Sequence, residues 1–308
     1  MASDSDGIAI AQRGANARDR DALTPRRRSE WRAGLRVLLR NKLALVSIAF
    51  LVLVHLAALA APLIAPADPD FIQIGKRFQR PNAEFILGAD ENGRDVLTRL
   101  IYGARVSLLV GSLSVLLSVT IGTLAGGIAG YRGGVIDSLI MRFTDGMLTI
   151  PTFFLVLIIV TVFGSTLTNI ILVIALTSWM VIARVVRGDV LRIVSQDYIL
   201  AARATGIPPI RLLLRHVLPG AMPSIIVSTT LGVANAILTE SALSYLGLGV
   251  QPPTSTWGTM LSGAQNYLFR RPELAVYPGV LIFLTVLAYN FFGDALHDAM
   301  DPRYRHKS

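Results

Sequence analysis

The longest uncharged stretch of this chain constrains its fold most. Residues 146–183 are 38 consecutive residues without Asp, Glu, Lys, Arg or His. As one helix they would be about 57 Å long, roughly twice what a hydrocarbon core about 30 Å thick requires. We therefore expect the stretch to fold back on itself through a turn at 164–169, which gives two membrane spans near 140–163 and 168–187.

Four further apolar regions reach the length of a membrane span, and they lie at 43–67, 106–131, 221–247 and 274–293. Of the 308 residues, 53% are hydrophobic and 16% are charged, a composition too apolar for an ordinary soluble domain. Buried helices of a large soluble protein are the alternative, and uncharged runs of this length disfavour them. The sequence therefore predicts an all-α integral membrane protein with six transmembrane helices.

Basic residues before the first span predict the orientation of the chain. Nine Arg and one Lys lie between residues 13 and 42, and basic residues resist translocation across the membrane. We therefore expect the N terminus in the cytoplasm and, with six spans, the C terminus on the same side. The net charge of +9 fits this asymmetry and contact with anionic lipid better than it fits a nucleic-acid-binding surface.

A polar, helix-forming loop from Asp197 to Pro219 lies among these spans. Small residues in its first half allow another backbone to approach closely, and Pro208 and Pro209 interrupt it. We expect a soluble partner to bind this loop. The expected apolar face of its second half carries Ile210, Leu213, Leu214 and Val217, with Arg211 and Arg215 on the opposite face.

The spacing of small residues in this loop resembles the EAA loop of ABC-importer permease subunits. Ala201 and Ala202 are followed by Gly206 four residues on, and by Leu218 and Pro219 twelve residues beyond that Gly. Further blocks are similar to the C-type permease of dipeptide and oligopeptide importers. They lie within 40–45, 87–108, 129–134, 243–258 and 293–303.

The resemblance implies a type I ABC-importer permease fold with a cytoplasmic coupling helix, as a multi-pass protein of the bacterial inner membrane. The chain would form half of a translocation pathway with a homologous second permease subunit. Two ATP-binding subunits would hold Mg-ATP, and an extracytoplasmic substrate-binding protein would deliver di- or oligopeptides. Membrane lipid is a further expected partner, and nucleic acid is not expected. Importers of nickel complexes, glutathione or opines share this scaffold and remain alternatives.

The resemblance implies that residues of this loop couple the chain to the ATPase. These are Asp197, Ala201, Ala202, Arg203, Gly206, Arg211, Arg215, Leu218 and Pro219. Leu200 stands where the family has the acidic residue that gives the EAA loop its name. Asp197, about one helical turn earlier, is expected to present a charge to the ATPase on the same face.

No motif for bond chemistry is present in the sequence. A G-x-x-x-x-G-K-[ST] phosphate loop is missing, so we assign ATP hydrolysis to other chains and expect no enzyme activity and no cofactor in this one. No catalytic or metal-binding residues are predicted, and the chain has no Cys. A secondary transporter is disfavoured because the spans lack a proton relay. A membrane aspartyl enzyme would pair Asp294 with Asp145, but Arg142 is the expected partner of Asp145.

Changes in composition divide the chain into segments. Residues 1–30 lack apolar periodicity and are predicted to be a disordered cytoplasmic tail. The other divisions are an interfacial helix and first span at 31–67, an extracytoplasmic segment at 68–105, a permease core at 106–298 with the coupling loop at 188–220, and a cytoplasmic tail at 299–308.

Glu240 is the ionisable residue deepest in the predicted spans, so its side chain should face protein or water. One hypothesis places it on the translocation path or at the outer gate. The other has it hydrogen-bonded to Ser241, Ser244 or a neighbouring helix, where it fixes the packing. Both interpretations stay open.

The extracytoplasmic segment is expected to help form a platform for the binding protein, or else simply to cap the bundle. Asp95 and Arg99 are four residues apart, which favours an ion pair on a short amphipathic helix at the outer surface. The predicted platform residues are Asp90, Gly93, Arg94, Asp95 and Trp257.

Overall fold

A computed structural model describes residues 38–300 of the chain. Those residues form helices and connecting loops, with no β-strand among them. The predicted tail at 1–30, the interfacial helix up to residue 37 and the tail after residue 300 lie outside the described range. The predictions for those segments therefore stay predictions.

The helices that position the functional elements are the following, in chain order. They are α1 (Lys42–Leu59), α2 (Ala61–Ile64), α3 (Val96–Arg132), α4 (Gly134–Leu148), α5 (Thr152–Phe163), α6 (Leu167–Val194), α7 (Asp197–Ala204), α8 (Pro209–Leu212), α9 (Leu218–Tyr245), α10 (Trp257–Ala264) and α11 (Glu273–Met300). A π-helical turn, Leu213–Val217, joins α8 to α9.

Five continuous helical stretches between residues 38 and 300 are long and apolar enough to cross a membrane. They are α1, α3, α6, α11 and the stretch from α8 through α9. The bent pair of α4 and α5 gives a sixth span when the two helices are counted together. The predicted all-α fold with six spans is confirmed in this form.

The third span is broken, where the sequence predicts one helix over 140–163. The axes of α4 and α5 differ by 84° across a break of three residues that ends at Pro151. Proline has no N–H to donate to the preceding turn and disfavours helical geometry at the residue before it. The predicted turn at 164–169 is confirmed, because Gly164 ends α5 at φ +86° and the side chain of Thr166 caps the start of α6.

The second span begins ten residues earlier than the predicted residue 106. The side chain of Asp95 accepts a hydrogen bond from the backbone N of Thr98 at 2.7 Å and starts α3 as its N-cap. The expected ion pair of Asp95 with Arg99 is wrong, since Arg99 binds Asp90 instead. The predicted short helix at the outer surface is therefore the first part of the membrane helix α3.

Close packing of α3 against α6 forms the centre of the bundle. Gly122, Gly126 and Gly130 face α6 at intervals of four residues. A Cβ atom at Gly122 would lie 2.7 Å from the backbone O of Trp179, and one at Gly130 would lie 2.9 Å from the O of Arg187. Small residues at this spacing let two membrane helices approach through their backbones.

The first span joins the bundle through α3 and α11. The hydroxyl of Tyr289 in α11 lies 3.2 Å from Nε2 of His55 in α1. The other ring nitrogen of His55 lies 2.8 Å from the backbone O of Leu51, so the imidazole is held at both nitrogens. This polar contact joins the first span to the last.

Candidate functional site

The predicted coupling loop leaves the membrane from α6 and returns to it as α9. Its first half is α7, which ends where Gly206 adopts a φ of +79°. A glycine in this left-handed conformation ends a helix at little cost, since it has no Cβ to clash. Pro208 and Pro209 then start the short helix α8. The loop is therefore a bent pair of helical segments held at both ends by spans.

Four apolar side chains hold this loop against the bundle. Ile199, Leu212 and Val217 are fully buried, and Leu213 is nearly so. They pack in one cluster with Ile193 of α6. Complete burial of one such side chain contributes roughly 1.5–3 kcal/mol, so the loop has a fixed position relative to α6 and α9.

The predicted apolar face of the second half is only partly right. Leu213 and Val217 are buried as expected, but Ile210 is 62% exposed and Leu214 is 55% exposed, while Leu212 takes their place in the core. The π-helical turn at Leu213–Val217 has hydrogen bonds from i to i+5, which rotates side chains away from ordinary helical spacing. Arg211 and Arg215 are exposed as predicted.

An exposed apolar surface remains on the loop. Its large side chains are Tyr198 at 52%, Leu200 at 48%, Ile210 and Leu214. Several exposed large apolar side chains beside exposed charges are typical of a protein contact. We call these four residues and Asp197, which is also exposed, the loop surface.

The remaining predicted coupling residues lie around the loop surface. Ala201 and Arg203 are exposed, and Ala202, Leu218 and Pro219 are half-buried. The guanidinium of Arg203 lies 5.8 Å from the ring centroid of Tyr131, at the end of α3. A cation–π contact of this kind contributes about 0.5–1 kcal/mol and joins α7 to a second span.

Two ion pairs connect the end of α6 to the broken span. Arg187 donates hydrogen bonds to both carboxylate oxygens of Asp137 in α4, and Arg184 binds Asp145 at the other end of α4. The expected partner of Asp145, Arg142, is wrong. Sequence spacing within one helix favours Arg142, whereas the fold brings Arg184 from 39 residues away.

Four predicted platform residues lie in a buried turn just before α3, which hydrogen bonds and ion pairs hold together. One oxygen of Asp90 accepts from the backbone N of Arg94 at 2.9 Å, and the other accepts from Nε of Arg94 at 2.8 Å and from Arg99. Gly93 takes a φ of +76°, and a side chain there would collide with the backbone of Gln73. Asp90, Gly93, Arg94 and Asp95 are all buried. They therefore stabilise the exposed residues of this segment and do not form its surface themselves.

Trp257, the fifth predicted platform residue, is fully buried in the bundle. Its indole N–H donates to the backbone O of Leu100 at 3.1 Å, and so attaches α10 to α3. The structure thus brings Trp257 to the same end of α3 as the buried turn around Asp90 and Arg94. A role of these five residues in binding-protein contact stays a prediction.

Glu240 is fully buried and linked to two other helices. Its carboxylate accepts hydrogen bonds from Ser244 at 2.7 Å and from Ser107 of α3 at 3.3 Å, and Ser107 accepts from the backbone N of Trp257 at 3.2 Å. These contacts are those of the packing hypothesis; a place on the translocation path stays a prediction. Sequence analysis misses Ser107, because the 133 residues that separate it from Glu240 leave no local signal.

Comparison with known proteins gives the family. A family model described as binding-protein-dependent transport system inner membrane component matches residues 122–306, more than half of the chain. The chain belongs to this family. A second model, the N-terminal TM domain of oligopeptide transport permease C, matches residues 29–81 of the permease.

Curated relatives match the permease over almost its whole length. It is 40% identical to the dipeptide transport system permease protein DppC of Alkalihalophilus pseudofirmus, over 90% of this chain and 91% of the relative. It is 37% identical to the oligopeptide transport system permease protein OppC of Bacillus subtilis, over 94% and 95%. Identity to the glutathione transport system permease protein GsiD of Pectobacterium atrosepticum is also 37%, over 94% of each chain.

Solved structures show the same fold. A chain of the inward-facing MetNI methionine ABC transporter superposes with a TM-score of 0.54 at 20% identity, over 67% of the permease and 96% of that chain. The predicted type I importer fold and inner-membrane location are therefore confirmed. The permease is the membrane subunit of an ABC importer, a class that works with separate ATPase and binding-protein chains.

Proposed function

We propose that the permease forms half of the translocation pathway of an ATP-driven importer of dipeptides or oligopeptides. The support for the substrate is the similarity to permeases named for dipeptide and oligopeptide transport over 90% or more of this chain. The second half of the pathway would be a homologous permease subunit. Two ATPase subunits would carry Mg-ATP, and an extracytoplasmic binding protein would deliver the peptide.

The loop surface is the observation that carries the coupling part of this proposal. It presents apolar side chains and a carboxylate on a segment fixed to both α6 and α9. An ATPase docked there would move these two spans together when nucleotide binding closes the ATPase pair. The movement shifts the population between outward-facing and inward-facing states, with no bond chemistry in this chain.

The two ion pairs between α6 and α4 extend the same path. Movement of the coupling loop would reach α4 through Arg184 and Arg187, and from α4 it would reach the break at Pro151. The broken span would then change its shape while α6 moves as a rigid unit. This sequence of contacts joins the ATPase side to the middle of the membrane.

Peptide uptake by the reconstituted complex tests this function. The permease and its partner subunits are placed in vesicles loaded with ATP. The binding protein is added outside with a labelled dipeptide or tripeptide, and uptake is measured. We expect uptake that requires both ATP and the binding protein. Equal uptake without ATP would contradict the proposal.

Glutathione is the second candidate substrate, because the relative GsiD matches 94% of the chain. Competition separates the two candidates. Unlabelled glutathione, whose first bond is a γ-glutamyl linkage, should leave dipeptide uptake unchanged if the importer requires ordinary α-linked peptides. Uptake of labelled glutathione, together with no uptake of the dipeptide, would assign the importer to glutathione.

A further inference from the structure

An apolar cavity of about 460 Å³ lies between α1 and the rest of the bundle. Every side chain that lines it is aliphatic or aromatic. The helices α1, α3, α10 and α11 all contribute to its wall. The lining residues used below are Leu53, Ala57, Leu100, Trp257, Val276 and Val280.

The cavity lies in the outer half of the membrane. With the N terminus in the cytoplasm, α1 runs outward, and Leu53 and Ala57 lie in its second half. The helices α3 and α11 start on the outer side, and Leu100 and Val276 lie in their first two turns. Three independent spans thus place the cavity at the depth of the outer leaflet.

The mouth of the cavity lies on the outward-facing surface of the spans. Leu53, Val276 and Val280 line it and are nevertheless 65%, 53% and 46% exposed, so its mouth is formed by outward-facing side chains of the spans. Water gains no hydrogen-bond partners from an apolar wall. An empty cavity forfeits dispersion contacts along its lining, which a hydrocarbon chain restores. The chemistry of this site therefore selects a lipid tail.

The outer end of α11 offers charge that suits a phospholipid headgroup. Arg270 and Arg271 lie just before this helix, separated from it by Pro272, and follow the fully exposed Phe269 in the sequence. Arg271 pairs with Glu273 at 3.0 Å, whereas Arg270 has no carboxylate partner within residues 38–300. An exposed aromatic side chain beside a cation fits the boundary between acyl chains and phosphates.

We propose that an acyl chain of an outer-leaflet phospholipid fills this cavity and forms part of the joint between α1 and the permease core. The fully buried indole of Trp257 lies in the inner wall of the cavity, behind the more exposed side chains that the lipid contacts. The proposal concerns a structural lipid and is independent of which solute the importer carries.

Trp257 provides a native reporter of occupancy, because it lines the cavity and is fully buried. The full-length chain carrying Trp31→Phe and Trp179→Phe keeps Trp257 as its single Trp. This variant is reconstituted in vesicles of phosphatidylethanolamine and phosphatidylglycerol, with and without bromine atoms on the acyl chains. Bromine quenches indole emission over a short range, so we expect a brominated tail in the cavity to lower the emission of Trp257 in its wall.

Two substitutions in α1 give a matched control. Ala57→Phe puts a side chain into the cavity and should restore the emission in brominated vesicles. Ala49→Phe makes the same change at an exposed position of the same helix outside the cavity, and the quenching should persist. If Ala57→Phe does not fold, Val280→Phe blocks the cavity from α11.

Three results would overturn the proposal. The first is unchanged Trp257 emission in brominated vesicles. The second is quenching that survives a folded cavity-filling variant, which places the lipid contact elsewhere. The third is quenching that disappears when a Trp-free second permease subunit is co-assembled, which assigns the cavity to the interface between subunits.

Discussion

Arg187 of α6 binds Asp137 of α4 through two parallel hydrogen bonds, Nε to Oδ1 at 2.5 Å and Nη2 to Oδ2 at 2.6 Å. The first of these helices leads into the coupling loop, and the second leads to the break at Pro151. The pair therefore connects the element nearest the proposed ATPase contact to the one span that is not continuous. Parallel bonds of this kind fix geometry as well as adding energy.

Arg187→Gln should lower the amount of substrate imported per ATP hydrolysed, since the substitution removes the charge that holds α4. The loss of stability should be modest, about 1 kcal/mol, because the pair is partly exposed. The measurement compares uptake and ATP hydrolysis in the same reconstituted vesicles. Arg192→Gln is the control: it removes an Arg from the same helix whose partner, Asp189, lies in α6 itself. Equal ratios in both variants would exclude the ion pair from coupling.

Gly206→Asp should separate ATP hydrolysis from uptake, or prevent assembly with the ATPase, while membrane insertion stays normal. The backbone there has a φ of +79°, which costs a residue with a Cβ about 1 kcal/mol, and the new carboxylate lies beside the loop surface. Insertion is checked by protease accessibility, and coupling by the ratio of uptake to hydrolysis. Gly188→Asp serves as the comparison, since Gly188 also has open space around it but lies in regular helix. Normal uptake by the Gly206 variant would remove the coupling assignment.

Leu214→Ala and Leu212→Ala should affect different properties, ATPase binding and stability respectively, although the two residues are only two positions apart. Leu214 is 55% exposed, so its loss should weaken ATPase binding and leave thermal unfolding unchanged. Leu212 is fully buried, and its truncation should lower the free energy of unfolding by about 3 kcal/mol. Co-purification with the ATPase and thermal unfolding in detergent provide the two measurements. A large loss of stability from Leu214→Ala would show that the loop surface is covered in the permease itself.

Glu240→Gln should preserve both stability and the KM for peptide uptake if the residue serves packing. The amide keeps an acceptor for one serine and provides a donor for the other, so Ser107 and Ser244 retain partners. Glu240→Ala should lower the melting temperature, because both hydroxyls and the start of α10 lose their anchor. A raised KM in a fully stable Gln variant would instead place the carboxylate on the peptide pathway.

Local sequence is sufficient to predict the spans and the turn at Gly164, because length, apolarity and turn residues determine them within one segment. It is insufficient for the break at Pro151. Pro223 and Pro278 also lie in apolar segments, yet both are inside continuous helices. Whether a membrane proline breaks a helix depends on what neighbouring helices supply to the freed backbone groups, and one segment does not contain that information.

The partners of charged side chains are harder to predict from sequence than the helices are, because they also depend on tertiary contacts. Asp95 and Arg99 have ideal helical spacing, but Asp95 is used as the cap of α3 and Arg99 turns to Asp90. Side chains near a helix start choose between capping and pairing, and tertiary contacts decide the choice. The contact of Glu240 with Ser107 depends entirely on how α3 and α9 pack.

The close contact of Gly122, Gly126 and Gly130 in α3 with α6 limits how this protein can change shape. The two backbones are in close contact at three successive turns. Sliding or rotation of one helix past the other would bring backbone atoms and side chains into collision. During alternating access α3 and α6 should therefore move together as one rigid body. The bending should occur elsewhere, for example at the break beside Pro151.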